Sequence, residues 1–122
     1  MVLRSEKLKS QYLADQSRYD DFLKNKDFDE DRERIVKSFK YWDIIENLYP
    51  YDKIAKAHDM LVPRRVFAKM SECRKEEWDE YKIIMNQFEF DGHYDAVLEN
   101  FSKGRSVLKQ LHIHLIVWKD ED

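Results

Sequence analysis

Two histidines stand two residues apart in Gln110-Leu111-His112-Ile113-His114, near the end of a 122-residue chain. The stretch around them, Val107 to Lys119 (VLKQLHIHLIVWK), is built of strand formers. Successive strand side chains point to opposite faces. Gln110, His112 and His114 therefore share one face, and Leu111, Ile113 and Leu115 share the other. Paired imidazoles can bind a metal, act as acid and base, or attack phosphorus. A half-solvated strand with incidental histidines fits the same pattern.

The surroundings separate these chemistries. A metal needs a third and a fourth ligand. His58, His93 and several carboxylates exist, but none stands at recognisable ligand spacing, so no metal or other cofactor is expected. Cys73 is the single cysteine, which excludes an intrachain disulfide and a cysteine-rich zinc site. No nucleophile elbow is present for serine-histidine hydrolysis. Phosphate chemistry fits better. The turn from Asn100 to Ser106 (NFSKGRS) holds one of only two glycines. Asn100, Ser102, Ser106 and the backbone near Gly104 offer neutral donors, and Lys103 and Arg105 offer charge. A neutral imidazole can form a bond to phosphorus that water later hydrolyses.

Residues 1–34 form a charged extension without Gly or Pro, in which Leu8, Tyr12, Tyr19, Phe22 and Leu23 recur near helical spacing. They predict an amphipathic helix over roughly Ser5 to Lys24, followed by an acidic run from Asp27 to Glu33. Residues 35–122 form the second unit. IVKSF and YWDIIENLY read as strands, PYDKIAKA as a connecting loop, and HDMLV (His58 to Val62) as a strand closed by Pro63. Ser71 is the expected N-cap of a helix over Glu72 to Gln87, with Trp78, Tyr81, Ile84, Met85 and Phe88 as its core stripe. Asp91-Gly92 is a turn, and Tyr94 to Phe101 a strand before the histidine strand. This order predicts an α+β domain with a largely antiparallel sheet and a long helix packed on it.

Composition narrows the setting. The net charge is −3, so no global positive field attracts nucleic acid. No apolar run approaches a membrane span and no signal-peptide core opens the chain, so a cytoplasmic setting is expected. Cys73 near a helix start reads as buried rather than reactive, and His93 as exposed. Arg64-Arg65 reads equally as a phosphate contact and as a solvated pair. Trp118 lies on the histidine face, where it flanks the site or seals a core edge.

With these residues in view, NFSKGRSVLKQLHIHLIVWK resembles the C-terminal signature of the histidine-triad (HIT) superfamily, in which a strand bears His-x-His-x-His after an Asn and a Gly/Ser turn. HDMLVPRR, His58 to Arg65, resembles that superfamily's upstream segment of a histidine, apolar residues, Pro and a basic residue. The likeness spans about Lys37 to Lys119 and leaves residues 1–34 outside. It implies a HIT-like nucleotide hydrolase or transferase, acting at a nucleoside α-phosphate through a nucleotidyl-histidine intermediate. His112 would be the nucleophile, His114 and Asn100 phosphate contacts, and His58 the supporting histidine. Ser106 would also hydrogen-bond phosphate, beside the charges that Lys103 and Arg105 of the turn offer, and Ile44, Ile45, Asn47 and Leu48 would border base and ribose. The resemblance also implies a homodimer.

Departures from the pattern define the alternatives. The first triad position is Gln110, and glutamine cannot shuttle a proton near neutral pH. One extra residue separates Ser106 from the strand, which a bulge at Lys109 would absorb. The cysteine pair that binds zinc in some members is absent. A catalytically weak nucleotide-binding protein, or an interaction module that recruits a partner through its N-terminal helix, stands beside the enzyme reading.

Overall fold

The structure, a computed structural model, describes residues 3–11, 13–14, 35–101 and 109–120. Among these, five strands form one antiparallel sheet: β1 (Ile35–Ser38), β2 (Trp42–Glu46), β3 (Ala55–Pro63), β4 (Ala96–Leu98) and β5 (Ile113–Trp118), in the order β1-β2-β3-β5-β4. The histidine strand β5 is thus inserted between β3 and β4. Its neighbours hydrogen-bond it on both edges, which fixes the direction in which its side chains project.

One long helix, Lys75–Asp91, covers one face of the sheet. Its apolar stripe, Tyr81, Ile84, Met85 and Phe88, packs on Trp42, Ile44, Leu61, Phe67, Leu111, Ile113 and Leu115. Leu111, Ile113 and Leu115 alternate along the histidine segment, so period-2 patterning sends them all to the helix side. The opposite face carries Ile45, Tyr49, Met60 and Val62, and beside them Tyr51, Ala55 and Ile116. Trp78 departs from the expected core stripe. It is 43% exposed and stacks on Tyr81, extending the aromatic cluster to solvent.

The helix starts later than the sequence suggests, because two glutamates do the capping in place of Ser71. Residues Met70–Glu72 form a separate 3-10 turn, where the Glu72 carboxylate accepts the Ala68 and Lys69 amides at 2.8 and 3.2 Å. The Glu77 carboxylate then accepts the Arg74 amide at 2.7 Å and the Arg65 guanidinium at 2.8 Å. Trp42 Nε1 donates to the Glu77 carbonyl at 2.8 Å, tying the helix start to β2. Burial works to raise the Glu77 carboxyl, but Arg65 and the Arg74 amide hold it below the usual range. Arg64 is likewise paired, with Asp43 at 3.3 Å, so the Arg64-Arg65 pair ties β3 to its surroundings. At the other end Gly92 adopts φ 64°, the left-handed conformation that closes a helix, and donates its amide to the Phe88 carbonyl at 3.0 Å.

Two strand boundaries also differ. β3 begins at Ala55, because β5 extends to Trp118 and supplies a partner for Ala55 and Ala57; the connecting loop ends at Ile54. β4 spans Ala96–Leu98 only, and Phe101 beyond it is 89% exposed. At the N-terminus, residues 6–11 and 13–14 are helical, with the Ser5 hydroxyl accepting the Leu8 amide at 3.3 Å. The remainder of the expected helix and the run from Asp27 to Glu33 lie outside the described residues. Among the described residues no helix is long and apolar enough to cross a membrane.

Glu77 joins three elements from a position that is 3% exposed. Glu77→Ala leaves the Arg74 amide without its acceptor and the Arg65 guanidinium with the Glu72 carbonyl alone of its two acceptors, and is expected to cost about 2 kcal/mol in urea unfolding. Trp78→Ala at the half-exposed end of the stripe is expected to cost about 1 kcal/mol or less by the same measurement.

Candidate active site

The cross-strand register explains why His58 and His114 meet. His58 pairs with Ile116, and Met60 pairs with His114. His58 and His114 are therefore diagonal neighbours on one face, within reach of aromatic rings. His58 Nε2 lies 2.8 Å from His114 Nδ1, and the ring centroids are 4.9 Å apart. Both side chains are buried, on the face away from the helix.

The hydrogen atoms follow from groups that can only donate or only accept. The Tyr51 amide donates to His58 Nδ1 at 2.9 Å, so in the neutral ring Nε2 carries the proton. That proton goes to His114 Nδ1, which leaves the His114 proton on Nε2, 3.2 Å from the Tyr51 hydroxyl oxygen. Asn47 Nδ2 also lies 3.2 Å from His58 Nε2. Asn47 Oδ1 is fixed by the Tyr49 amide at 2.8 Å, so this is a close approach of two donors, and the shorter His114 contact takes the proton. Burial is the main reason both rings stay neutral. It pushes His58 down to about 3, helped by the charges of Arg4 and His112. It pushes His114 down to about 2, helped by His112, His58 and Arg4.

His112 precedes β5, in a segment anchored by the Leu111 amide on the Phe67 carbonyl at 2.7 Å. The strand pattern expected from Val107 onward is regular only from Ile113 among the described residues. His112 Nδ1 lies 3.2 Å from the Gln110 carbonyl oxygen. A carbonyl only accepts, so Nδ1 holds the proton and the neutral ring's lone pair is on Nε2. The His112 and His114 rings are 5.1 Å apart and nearly perpendicular.

The Gln110 side chain is fully buried and bonds neither histidine. Its Nε2 donates to the Leu111 carbonyl at 3.2 Å, and its Oε1 has no hydrogen-bond partner among the described residues. Among the other expected site residues, Asn100 brings Nδ2 within 3.5 Å of His114 Nε2, and Asn47 borders His58. Ile45 is buried on the histidine-bearing face with Met60, whereas Ile44 packs on the helix side. Lys103, Arg105 and Ser106 lie outside the described residues. Cys73 is far from reactive: burial, with Glu77 adding to it, pushes its thiol up to about 11. No group of three metal-ligating side chains occurs among the described residues.

Two participants escaped the sequence reading. Tyr51 sits in what read as a connecting loop, yet its ring lies 4.6 Å from His58 and 4.9 Å from His114. Arg4, in the N-terminal extension, places its guanidinium 4.8 Å over the Tyr51 ring and donates to the Tyr49 carbonyl at 2.6 Å. An aromatic next to Pro50 was the only cue for Tyr51, and nothing local marked Arg4.

No family model and no curated protein matches the sequence. Solved structures do resemble it. A histidine triad protein from Clostridium difficile is 20% identical with a TM-score of 0.51, over 72% of this chain and 80% of that one. A HIT family hydrolase from Clostridium thermocellum is 21% identical with a TM-score of 0.53, over 78% and 90%. A structure described as a HIT-like protein reaches a TM-score of 0.57 at 16% identity, over 81% and 95%.

The buried histidines couple stability to pH. Their folded values lie below the ordinary 6.5, so the unfolded chain binds protons that the folded chain refuses. Stability from this source is complete above pH 6.5 and is lost as pH falls from there toward about 3. Between pH 7 and 5 the loss is on the order of 2 kcal/mol per histidine. Urea midpoints at the two pH values should therefore fall less in His58→Gln/His114→Gln than in the parent. For Gln110, removing an unpaired buried acceptor is favourable. Gln110→Met should unfold at a urea midpoint no lower than the parent's, and a drop worth more than about 1 kcal/mol would mean that Oε1 has a partner.

Proposed function

The chain has the HIT-like fold, and on that premise we propose that it is a nucleotide hydrolase or transferase acting at a nucleoside α-phosphate. The observation that carries this reading is the orientation of His112. A backbone carbonyl holds its Nδ1 proton, so the Nε2 lone pair is the nucleophilic end of the ring. That carbonyl belongs to Gln110, which gives the glutamine a role through its backbone whatever its side chain does.

In the first step His112 Nε2 forms a bond to the α-phosphorus while the bond from phosphorus to the leaving group breaks. The leaving group departs with that electron pair and takes up a proton. In the second step water, or another acceptor hydroxyl, forms a bond to the same phosphorus and gives up its proton. The phosphorus–nitrogen bond breaks, and its electrons return to Nε2. In this reading His114 and Asn100 border the phosphate oxygens, with Ser106, Lys103 and Arg105 completing the phosphate site. Asn47 and Ile45 border the nucleoside, and His58 holds His114 in the donating tautomer. A buried, neutral His58–His114 pair suits this scheme, because neither ring traps the phosphate as an ion pair. Pairing of two copies and a cytoplasmic setting belong to the same proposal, and the net charge of −3 argues against nucleic acid as the substrate.

Adenosine phosphoramidate, a diadenosine polyphosphate and a nucleoside-diphosphate sugar form a suitable substrate panel. His112→Ala is expected to lose turnover by at least about a thousandfold while keeping AMP affinity within a few-fold. Turnover that survives the substitution contradicts the mechanism.

A further inference from the structure

Tyr51 stands at both ends of the histidine chain. Its backbone amide donates to His58 Nδ1, and its side-chain oxygen lies 3.2 Å from His114 Nε2. The amide sets the direction, since it can only donate. Protons therefore run from the Tyr51 amide to His58, from His58 to His114, and from His114 to the Tyr51 hydroxyl oxygen. Asn100 Nδ2 donates to the same oxygen at 3.4 Å. Both groups hydrogen-bonded to that oxygen are donors. The phenol's own proton therefore has no acceptor among the described residues, on a side chain that is 7% exposed.

A buried hydroxyl with an unused proton is costly to leave so, and it favours a ligand that brings an acceptor. The acceptor must reach an oxygen already flanked by His114 and Asn100, the two side chains that the proposed function assigns to phosphate. We propose that the Tyr51 hydroxyl is a substrate-contacting group, donating a hydrogen bond to a non-bridging oxygen of the nucleoside phosphate. The proposal rests on the nucleotide reading of the site.

The N-terminal extension holds Tyr51 for this task. Lys53 donates its amide to the Leu3 carbonyl at 3.0 Å, Ser5 donates to Asp52 Oδ1 at 2.6 Å, and Arg4 Nε donates to the Tyr49 carbonyl at 2.6 Å. Leu3 packs beside Tyr51, Ala55 and Ile116, and the Arg4 guanidinium caps the Tyr51 ring. Three consecutive residues thus pin the loop from Tyr49 to Lys53 from outside the sheet. Their place beside the histidines gives the extension a part in the site that its position in the sequence did not suggest.

Tyr51→Phe tests the hydroxyl alone, because the ring remains for Arg4, His58 and His114. Calorimetric titration with AMP and with adenosine separates a phosphate contact from a structural one. AMP affinity is expected to fall about 10- to 100-fold, the loss typical of a hydrogen bond to a charged group, while adenosine affinity stays within twofold. Unchanged AMP affinity, or an equal loss for both ligands, overturns the proposal. A parent protein that binds neither ligand overturns the nucleotide reading itself, and the phosphate contact with it. Nitrogen NMR of the histidine rings gives a second test without substrate. Both His58 and His114 should carry their proton on Nε2. A proton on His114 Nδ1 would make the Tyr51 hydroxyl donate to His114 instead, which sinks the proposal.

Discussion

The hydrogen bond between His58 and His114 is the interaction on which the site depends. Two buried imidazoles face each other at 2.8 Å, and each must be neutral with its proton on a defined nitrogen. Neither condition is met by the rings alone. Burial excludes the charged form, and the backbone amide of Tyr51 chooses the tautomer. A single non-titrating donor thereby orders a chain of three side chains. The same device acts on His112, where the fixed partner is a backbone carbonyl. Main-chain groups cannot change protonation state near neutral pH, so a site oriented by them keeps its tautomers while the solvent pH varies.

The fold supplies this arrangement through register. β5 lies in the interior of the sheet, and alternation through it and the residues just before it sends Leu111, Ile113 and Leu115 to the helix and His114 to the opposite face. A shift of one residue would reverse both sets. The helix side is therefore more than a stability reserve: the packing of Ile84, Leu61 and Trp42 locks the register that brings His58 to His114. Glu77, Arg65 and Trp42 fasten the helix to the sheet at its start, away from the histidine-bearing face.

Much of this was legible in the sequence because it rests on periodicity. The alternation from Leu111 to Leu115 and the stripe from Tyr81 to Phe88 each report a single buried face, and the structure has both. That His58 would support the histidine strand followed from the resemblance to the histidine-triad superfamily and from no period in the sequence. Features that rest on competition between polar groups were not legible. Ser71 is a good N-cap by type, but Glu72 and Glu77 reach the exposed amides instead. Trp78 has the right spacing for the core and stands at its margin. Tyr51 and Arg4 were missed for a different reason. Their places follow from how a loop and a terminal segment fold back on the sheet, and no local period encodes that. Gln110 reads as a gap in the triad, yet the structure shows its backbone carbonyl holding His112.

The proposed mechanism requires His112 to form a covalent bond to phosphorus. Intact-protein mass spectrometry after rapid alkaline quenching of protein mixed with adenosine phosphoramidate tests that most directly, since bonds between histidine and phosphorus survive alkali. A mass increase of one adenylyl group, located on the peptide containing His112 and absent in His112→Ala, is the predicted result. Substrate turnover with no adduct at any quench time, or an adduct that persists in His112→Ala, would contradict it.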